Sequence, residues 1–461
     1  MEYTLFIYHR DFRIVDNIGL NYAMQNCNNV LPIFIFTNEQ INDNNKFKSS
    51  NSIQFMVESL DNLDKTLKKH NSKMHYFYGN YIEILEEITN TINVNNIIFN
   101  IDYTPYAKKR TEKVEKFCEE NKINCIPQED YLLAPIGSFL KSDGDPYTIY
   151  TPFKNHVLSL KNLINNPKRI APKNLSKTNK LNTISLDVID EYYEQNENIL
   201  VHGGRNNSKK IIRNLKNFND YQDTRNMLSE NTTHLSAYIK YGCLSIREVF
   251  YILLNLYNIN HGLIAQLIWR EFYFYIANYF PDVLKGKNYN KKYDKIKWNN
   301  SNKLYNLWIQ GRTGYPIVDA AMVQINTQGY MHNRGRLITS NFLNRLLGYH
   351  WTKGEKYFAN KLVDYDPSVN NGNWQWIAST GVDPKPFNQR LFNPWLQSKK
   401  FDSDAEYIKR WLPQLKDIPA NHLHEWDKHC DKYDLDEIDY VEPCVDYSKA
   451  RAKSLQIYKS V

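Results

Sequence analysis

The sequence predicts two unlike architectures in one chain, an α/β domain with a doubly wound parallel sheet followed by a large all-α domain. Three observations carry this. Short β-type runs alternate with helical stretches over the first third; a Pro-, Asn-, Lys- and Ser-rich stretch follows; beyond it strand patterns nearly vanish while helical periodicity recurs. A chain of 461 residues can bury more than one core.

Strands are expected at residues 4–8, 30–36, 74–78, 96–101 and 124–127, with helices over 53–69 and 107–121 between them. Strand then helix, repeated, calls for parallel pairing through crossovers. His9-Arg10-Asp11-Phe12-Arg13 follows the first strand where a dinucleotide site would need G-x-G-x-x-G, so that use of the sheet is disfavoured. The α/β domain is placed at 1–130. Residues 131–200, with Asn165-Asn166-Pro167 and Pro172-Lys173-Asn174, read as an interdomain connector. The helical domain occupies 201–461, with helical patterns at 208–217, 246–256, 261–279, 316–329, 336–347 and 355–362.

Hydrophobic residues make up 42% of the chain and the mean hydropathy is -0.62, values of a globular protein. The most apolar stretch, 263–280, carries Arg270 and Glu271 in its middle, which argues against a membrane partner. Met1-Glu2-Tyr3 lacks the basic flank and apolar run of a secretory signal, so an intracellular protein is expected, cytoplasmic, or nuclear if the source is eukaryotic. Six cysteines, at 27, 118, 125, 243, 430 and 444, show no C-x-x-C pair and suggest neither a disulfide framework nor a zinc site. A net charge of +8 permits a polyanionic partner without specifying one. Aromatic content of 14%, with 34 Tyr and 9 Trp, suits base stacking or an aromatic-lined cofactor site as well as large cores.

Three ordered blocks in the helical part are improbable as packing alone. They are Gln266-Leu-Ile-Trp269-Arg270-Glu271-Phe272-Tyr273, Gly311-Arg-Thr-Gly-Tyr-Pro316 continuing through Gly329-Tyr-Met-His332-Asn333-Arg334-Gly-Arg336, and Asp364-Tyr-Asp366-Pro-Ser-Val-Asn370-Asn371-Gly-Asn373-Trp374-Gln-Trp376. At these blocks the chain resembles the cryptochrome/photolyase family, most like a class I cyclobutane pyrimidine dimer photolyase. The likeness extends to residues 9–13, 147–153 and 387–413 and covers nearly the whole chain.

The resemblance implies the photolyase/cryptochrome fold, an antenna-type α/β domain and an FAD-binding catalytic domain. It also implies light-driven repair of UV-damaged DNA by a monomer, in which an electron from reduced FAD splits a flipped cyclobutane dimer. The family's FAD positions fall on Tyr221, Thr232, Thr233, Leu235, Ser236, Arg270, Asn333, Arg336, Asp364, Asp366 and Asn370. Hydroxyl residues before a helical run, as at 232–236, are the type that caps a helix or feeds donors to a phosphate. Asn370 corresponds to the residue facing flavin N5, where asparagine is the photolyase-like choice. Trp374, Trp351 and Trp298 fall on the family's electron-transferring tryptophan chain. Substrate and DNA positions fall on Gln266, Trp269, Asn333, Arg334, Leu337, Trp376 and Arg390, with the two arginines expected as phosphate contacts at the cavity mouth.

Two departures from the class I pattern stand out. Gln266 takes the place of a glutamate that hydrogen-bonds the thymine carbonyls; an amide still donates there but supplies no proton. (6-4) photolyases also carry glutamine at that position, yet their two histidines fall here on Asn333 and Leu337, which favours the cyclobutane lesion. The Asn-Glu pair of folate-binding members falls on Tyr106 and Ala107, so a second, antenna chromophore would be a deazaflavin or another pigment if one is held. A cryptochrome-type photoreceptor, a (6-4) enzyme and a DASH-type enzyme are the alternatives.

Overall fold

The computed structural model describes residues 1–383 and 385–461. Five parallel strands, β1 (Glu2–Ile7), β2 (Val30–Phe36), β3 (His75–Tyr78), β4 (Asn93–Asn100) and β5 (Asn124–Gln128), form one sheet in the order β3-β2-β1-β4-β5. The chain reverses its direction of travel across the sheet between β1 and β4, and such a switch point leaves a crevice at the strands' carboxyl ends. All seven residues of β2 are buried, the continuous apolar run of a strand covered on both faces.

Alternate residues of the central strands feed two different cores. Leu5, Ile7, Ile33, Ile35 and Phe99 face Leu85 and Ile88 of helix Tyr81–Thr91 and Val114 and Phe117 of helix Pro105–Glu120. Phe6, Phe34, Phe36 and Ile98 point the other way, into a core shared with Phe153 and Val157 of helix Tyr150–Ser159 and with Leu263, Ile268 and Phe272 of helix Gly262–Tyr279. The sheet thus packs directly on the helical half. Arg13, Arg247 and Asp130 seal this contact: Asp130 accepts from Arg13 Nη2 at 2.6 Å and from Arg247 Nη2 at 2.8 Å, all three nearly inaccessible to solvent.

A second core fills the helical half around Trp308, Phe342, Trp374 and Tyr407. The sequence shows no clear period over 367–378, yet Pro367–Ala378 is a helix. Its Asn- and Gly-rich sequence has low intrinsic propensity. Asp366 caps it, Pro367 sits at its first turn, and burial of Trp374, Ile377 and Ala378 holds it in place. The helix expected at 336–347 begins three residues earlier, because His332 caps Asn333–Asn341, and it ends in a π turn at Phe342–Leu346. Within residues 131–200, Tyr150–Ser159 is helical. Among the described residues no helix is long and apolar enough to cross a membrane.

Candidate active site

The loop 362–366 carries two carboxylates into the helical half. Asp366 turns its Oδ1 to the backbone N–H groups of Ser368 and Val369, while its Oδ2 accepts from Arg10 Nη1 at 2.8 Å. The other end of that guanidinium meets Asp102 at 2.8 Å, and its carbon lies 4.9 Å from the centre of the Tyr131 ring. Burial alone would push the Asp366 carboxyl up, but Arg10 and Arg270 outweigh it and hold the group below the usual carboxylate range.

Asp364 receives Arg336 Nη2 at 3.0 Å and Ser236 Oγ at 2.6 Å, both through Oδ2. Its Oδ1 is buried with no protein partner among the described residues. A buried carboxylate oxygen without a donor is costly, so this one marks a place where a bound group belongs. Thr232 and Thr233 lie half-buried just before Ser236, Leu235 is buried, and Tyr221 opens a short helix beside His261. Arg270 donates to the Tyr131 carbonyl at 2.8 Å and lies 4.5 Å from the centre of the Phe274 ring.

Helix Pro367–Ala378 carries the next elements at four-residue spacing, which keeps them on one face: Asp366 at its cap, then Asn370, then Trp374. The Asn370 amide donates to the Glu355 carbonyl at 3.2 Å. Glu355 is itself buried, which pushes its side-chain carboxyl up to about 7. Trp374 packs edge-on against Phe358 and Trp308, at ring separations of 5.0 and 6.4 Å. Its ring also lies over Gly354, one turn along the helix from Trp351. Trp351 is fully buried and donates its indole N–H to Asn288 at 2.7 Å. His350 stands between Trp351 and the half-buried Trp298, 5.4 Å from each ring. The aromatic series therefore runs from core to surface.

Two tryptophans carry aromatic faces on neighbouring elements. Trp269, one turn from Gln266, stacks on Tyr150 with ring centres 3.5 Å apart and planes within 7°. Trp376 hydrogen-bonds Asp383 through its indole N–H at 3.2 Å, and Arg390 lies 4.1 Å from its ring centre. Gln266 is half-buried, and its amide makes no hydrogen bond among the described residues.

Family models match on both halves: that for DNA photolyase over residues 4–172 and that for the FAD binding domain of DNA photolyase over residues 263–460. Over its whole length, and 97% of the relative's, the chain is 34% identical to the deoxyribodipyrimidine photo-lyase of Buchnera aphidicola. The chain belongs to the DNA photolyase family. Among solved structures, an archaeal photolyase from Sulfolobus tokodaii, crystallised with two FAD molecules, matches over all of both chains with a TM-score of 0.89 and 36% identity. A Synechocystis cryptochrome shares the fold, with a TM-score of 0.90 over 99% of both chains at 24% identity.

In this photolyase-family chain the helical domain binds FAD. The unpartnered Asp364 Oδ1, the Arg336 cation beside it and the hydroxyls at 232–236 suit a flavin ring edge and a phosphate respectively, so the residues present fit that cofactor. Asn333 is exposed and Leu337 half-buried, one turn apart on helix Asn333–Asn341. Arg334 is held by Asn226 at 2.6 Å and by Gln397 at 3.4 Å, above the Phe401 ring. Arg390 departs from its expected place at the cavity mouth. It is 2% exposed and donates to the carbonyls of Trp376 and Asp383, because this turn buries acceptors that need a donor.

Asp383, Trp308 and Glu355 carry no signal of their own in the sequence, and Arg10 and Tyr150 stand there only within the matched segments 9–13 and 147–153. A charged residue three positions beyond β1, at the carboxyl ends of the strands where such sheets hold ligands, was the available signal for Arg10. The others show themselves only through contacts distant in sequence.

Proposed function

We propose that this protein uses light to split cyclobutane pyrimidine dimers in DNA, acting as a monomer with FAD in the helical domain. The observation that carries the reading is the single helix face that presents Asp366, Asn370 and Trp374 in succession, beside the open acceptor of Asp364. FAD, when bound, supplies light-driven one-electron chemistry that no side chain provides.

The chain's own residues bind, orient and shield. Asp364, with Arg336 and Ser236, and Asp366, with Arg10, offer fixed charge and hydrogen bonds at the ring edge; Asn370 offers a neutral amide. Thr232, Thr233, Ser236 and Tyr221 supply donors for the pyrophosphate and ribityl groups, and Leu235 and Arg270 close the site. Trp374, Trp351 and Trp298 form a path for electrons from the surface. Extrusion of the lesion from the duplex is a property of photolyases as a class. Here Trp269 and Trp376 provide aromatic walls for the extruded dimer, and the uncommitted amide of Gln266 is free to donate to a pyrimidine carbonyl. Asn333 and Leu337 stand, by resemblance, where (6-4) enzymes carry histidines, and they offer no imidazole for that chemistry. Arg334 remains the phosphate contact. Burial and neighbouring Arg225 lower its pKa to about 10, which leaves it cationic at neutral pH.

A second chromophore fits the switch point of the sheet. There His9 Nε2 meets the Tyr81 hydroxyl at 2.9 Å and Arg110 spans the rings of Tyr81 and Tyr106. This aromatic and cationic lining, without the Asn-Glu pair, favours a deazaflavin or another flavin over a folate.

Defined oligonucleotides carrying one lesion each, in single- or double-stranded DNA, test the reading. Reduced holoprotein under blue light is expected to restore cyclobutane thymine dimers in duplex DNA and to do nothing in the dark. Repair confined to (6-4) lesions or to single strands would replace this reading with one of its relatives, and no repair of any lesion would end it.

A further inference from the structure

The geometry points to Asp383 as the positioning residue that sets the two aromatic walls of the lesion site relative to each other, an inference that rests on the reading of Trp269 and Trp376 as those walls. The two tryptophans stand on different helices, which pack on each other where the Tyr273 ring lies against Gly372 and its hydroxyl donates to Asn373 at 3.4 Å. Among the described residues the two indole rings do not pair with each other, so the packing sets the helices and leaves the tilt of each wall to other contacts. Asp383 connects them. One carboxylate oxygen, Oδ2, accepts the Trp376 indole N–H at 3.2 Å. The other, Oδ1, accepts the backbone N–H of Tyr150 at 3.3 Å, and the backbone N–H of Asp383 donates to the Thr148 carbonyl at 2.8 Å.

Tyr150 is the backing of the other wall. Its ring lies parallel to Trp269 at 3.5 Å, and its hydroxyl donates at 2.7 Å to the Ala265 carbonyl, one turn before Trp269 on the same helix. One face of Trp269 is thereby covered and its tilt fixed by a residue that is itself pinned to Asp383. On the other side Arg390 closes the arrangement from below, donating to the carbonyls of both Trp376 and Asp383 while lying against the Trp376 ring. A single carboxylate thus bridges the connector segment 148–150 and helix Pro367–Ala378.

The backbone at Asp383 is left-handed, with φ of 55°. Asp, Asn and Gly tolerate this conformation far better than other residues do, so Asn and Gly can replace Asp383 without adding backbone strain. Asp383→Gly removes both acceptors. Asp383→Asn keeps one carbonyl oxygen and so serves Trp376 or Tyr150 but not both.

The test measures binding of holoprotein to a dimer-containing duplex and to the same duplex undamaged, alongside flavin photoreduction and hydrogen exchange of the Trp376 indole N–H by NMR without DNA. Asp383→Gly is expected to weaken dimer binding about 10- to 100-fold, the range for losing hydrogen bonds to a charged acceptor. Affinity for undamaged DNA and photoreduction should stay at wild-type values, the indole should exchange faster, and Asp383→Asn should fall between. Unchanged indole exchange in Asp383→Gly would overturn the assignment whatever the DNA results. So would dimer affinity that stays within about twofold of wild type, or that falls no more than affinity for undamaged DNA. A wild-type protein that does not prefer the dimer, with the indole still released in the variant, would instead count against the lesion reading and leave the Asp383 bridge standing.

Discussion

Replacing Asp130 with alanine should lower the unfolding free energy by about 3–5 kcal/mol, the cost of breaking a buried ion pair from one side. Asp130 is the common acceptor for Arg13, from the segment after β1, and Arg247, from helix Ile246–Leu256, and its side chain is almost wholly enclosed. Arg247 would retain Asp16 at 3.0 Å, but Arg13 would lose its only carboxylate contact among the described ion pairs. Both cations sit where the sheet meets the helical half, so the loss acts on the contact that orients the two. Urea denaturation followed by tryptophan fluorescence gives the change directly; a midpoint equal to wild type would mean that water reaches these arginines.

The same carboxylate carries a pH signature. Burial would raise its pKa, but Arg13 and Arg247 prevail and depress it. A depressed folded pKa means that the unfolded chain takes up the proton first. The contribution is therefore complete above the unfolded carboxylate value, about 3.9, and is lost as pH falls below it toward the folded value. Asp319 and Glu355 act in the opposite sense: burial raises them to about 6 and about 7, so their protonation on acidification favours the folded form. Wild type and Asp130→Ala share those groups. Asp11 differs between them: burial and then the Asp130 charge raise it to about 6, and the variant lacks the second cause. The difference between the two proteins should therefore grow slightly as pH falls through about 6 and shrink below about 4.

How far the sequence speaks differs between the two halves. The five strands were legible because each is a short apolar run bounded by polar turns, and only their ends moved, as with β4, which starts at Asn93 instead of residue 96. Helix Pro367–Ala378 was not legible by period, although its residues were conspicuous as a motif: Asn and Gly conceal a helix whose stability comes from a cap and from tertiary burial. The site divides likewise. Arg336 and Asp364 could be picked out by resemblance, and the structure sets them 3.0 Å apart. The roles of Arg10, Tyr150 and Asp383 could not, although the first two lie in matched segments, since each acts on a residue far away in the chain through one or two hydrogen bonds or a stacked ring. Arg390 shows the limit of placing a charge from sequence: an arginine suited to a phosphate serves equally well to satisfy buried carbonyls, and the fold decides between them.

Substituting Gly354 with alanine should impair flavin photoreduction while sparing repair by chemically reduced protein. A Cβ at position 354 would come within 2.0 Å of Trp374 Cη2 and 2.5 Å of its Cζ3, with Leu343 Cδ2 at 2.7 Å. The indole is 2% exposed and boxed in by Phe358 and Trp308, so it cannot yield without displacing its neighbours, and overpacking of this kind costs about 1–3 kcal/mol or more. If Trp374 is the first carrier on the proposed electron path, a shifted or tilted ring slows that path at its start. Trp374→Phe removes the indole altogether and should abolish most photoreduction, again with repair by pre-reduced protein retained. Phenylalanine also vacates space over residue 354, so the two changes should not add in stability: Gly354→Ala is expected to cost less in the Trp374→Phe background than in wild type. Transient absorption after a blue flash gives the photoreduction rate, and urea midpoints of the four proteins close the cycle. Photoreduction in Trp374→Phe at the wild-type rate would remove Trp374 from the path. Additive stability losses would show that residue 354 is crowded by Leu343 and not by the indole.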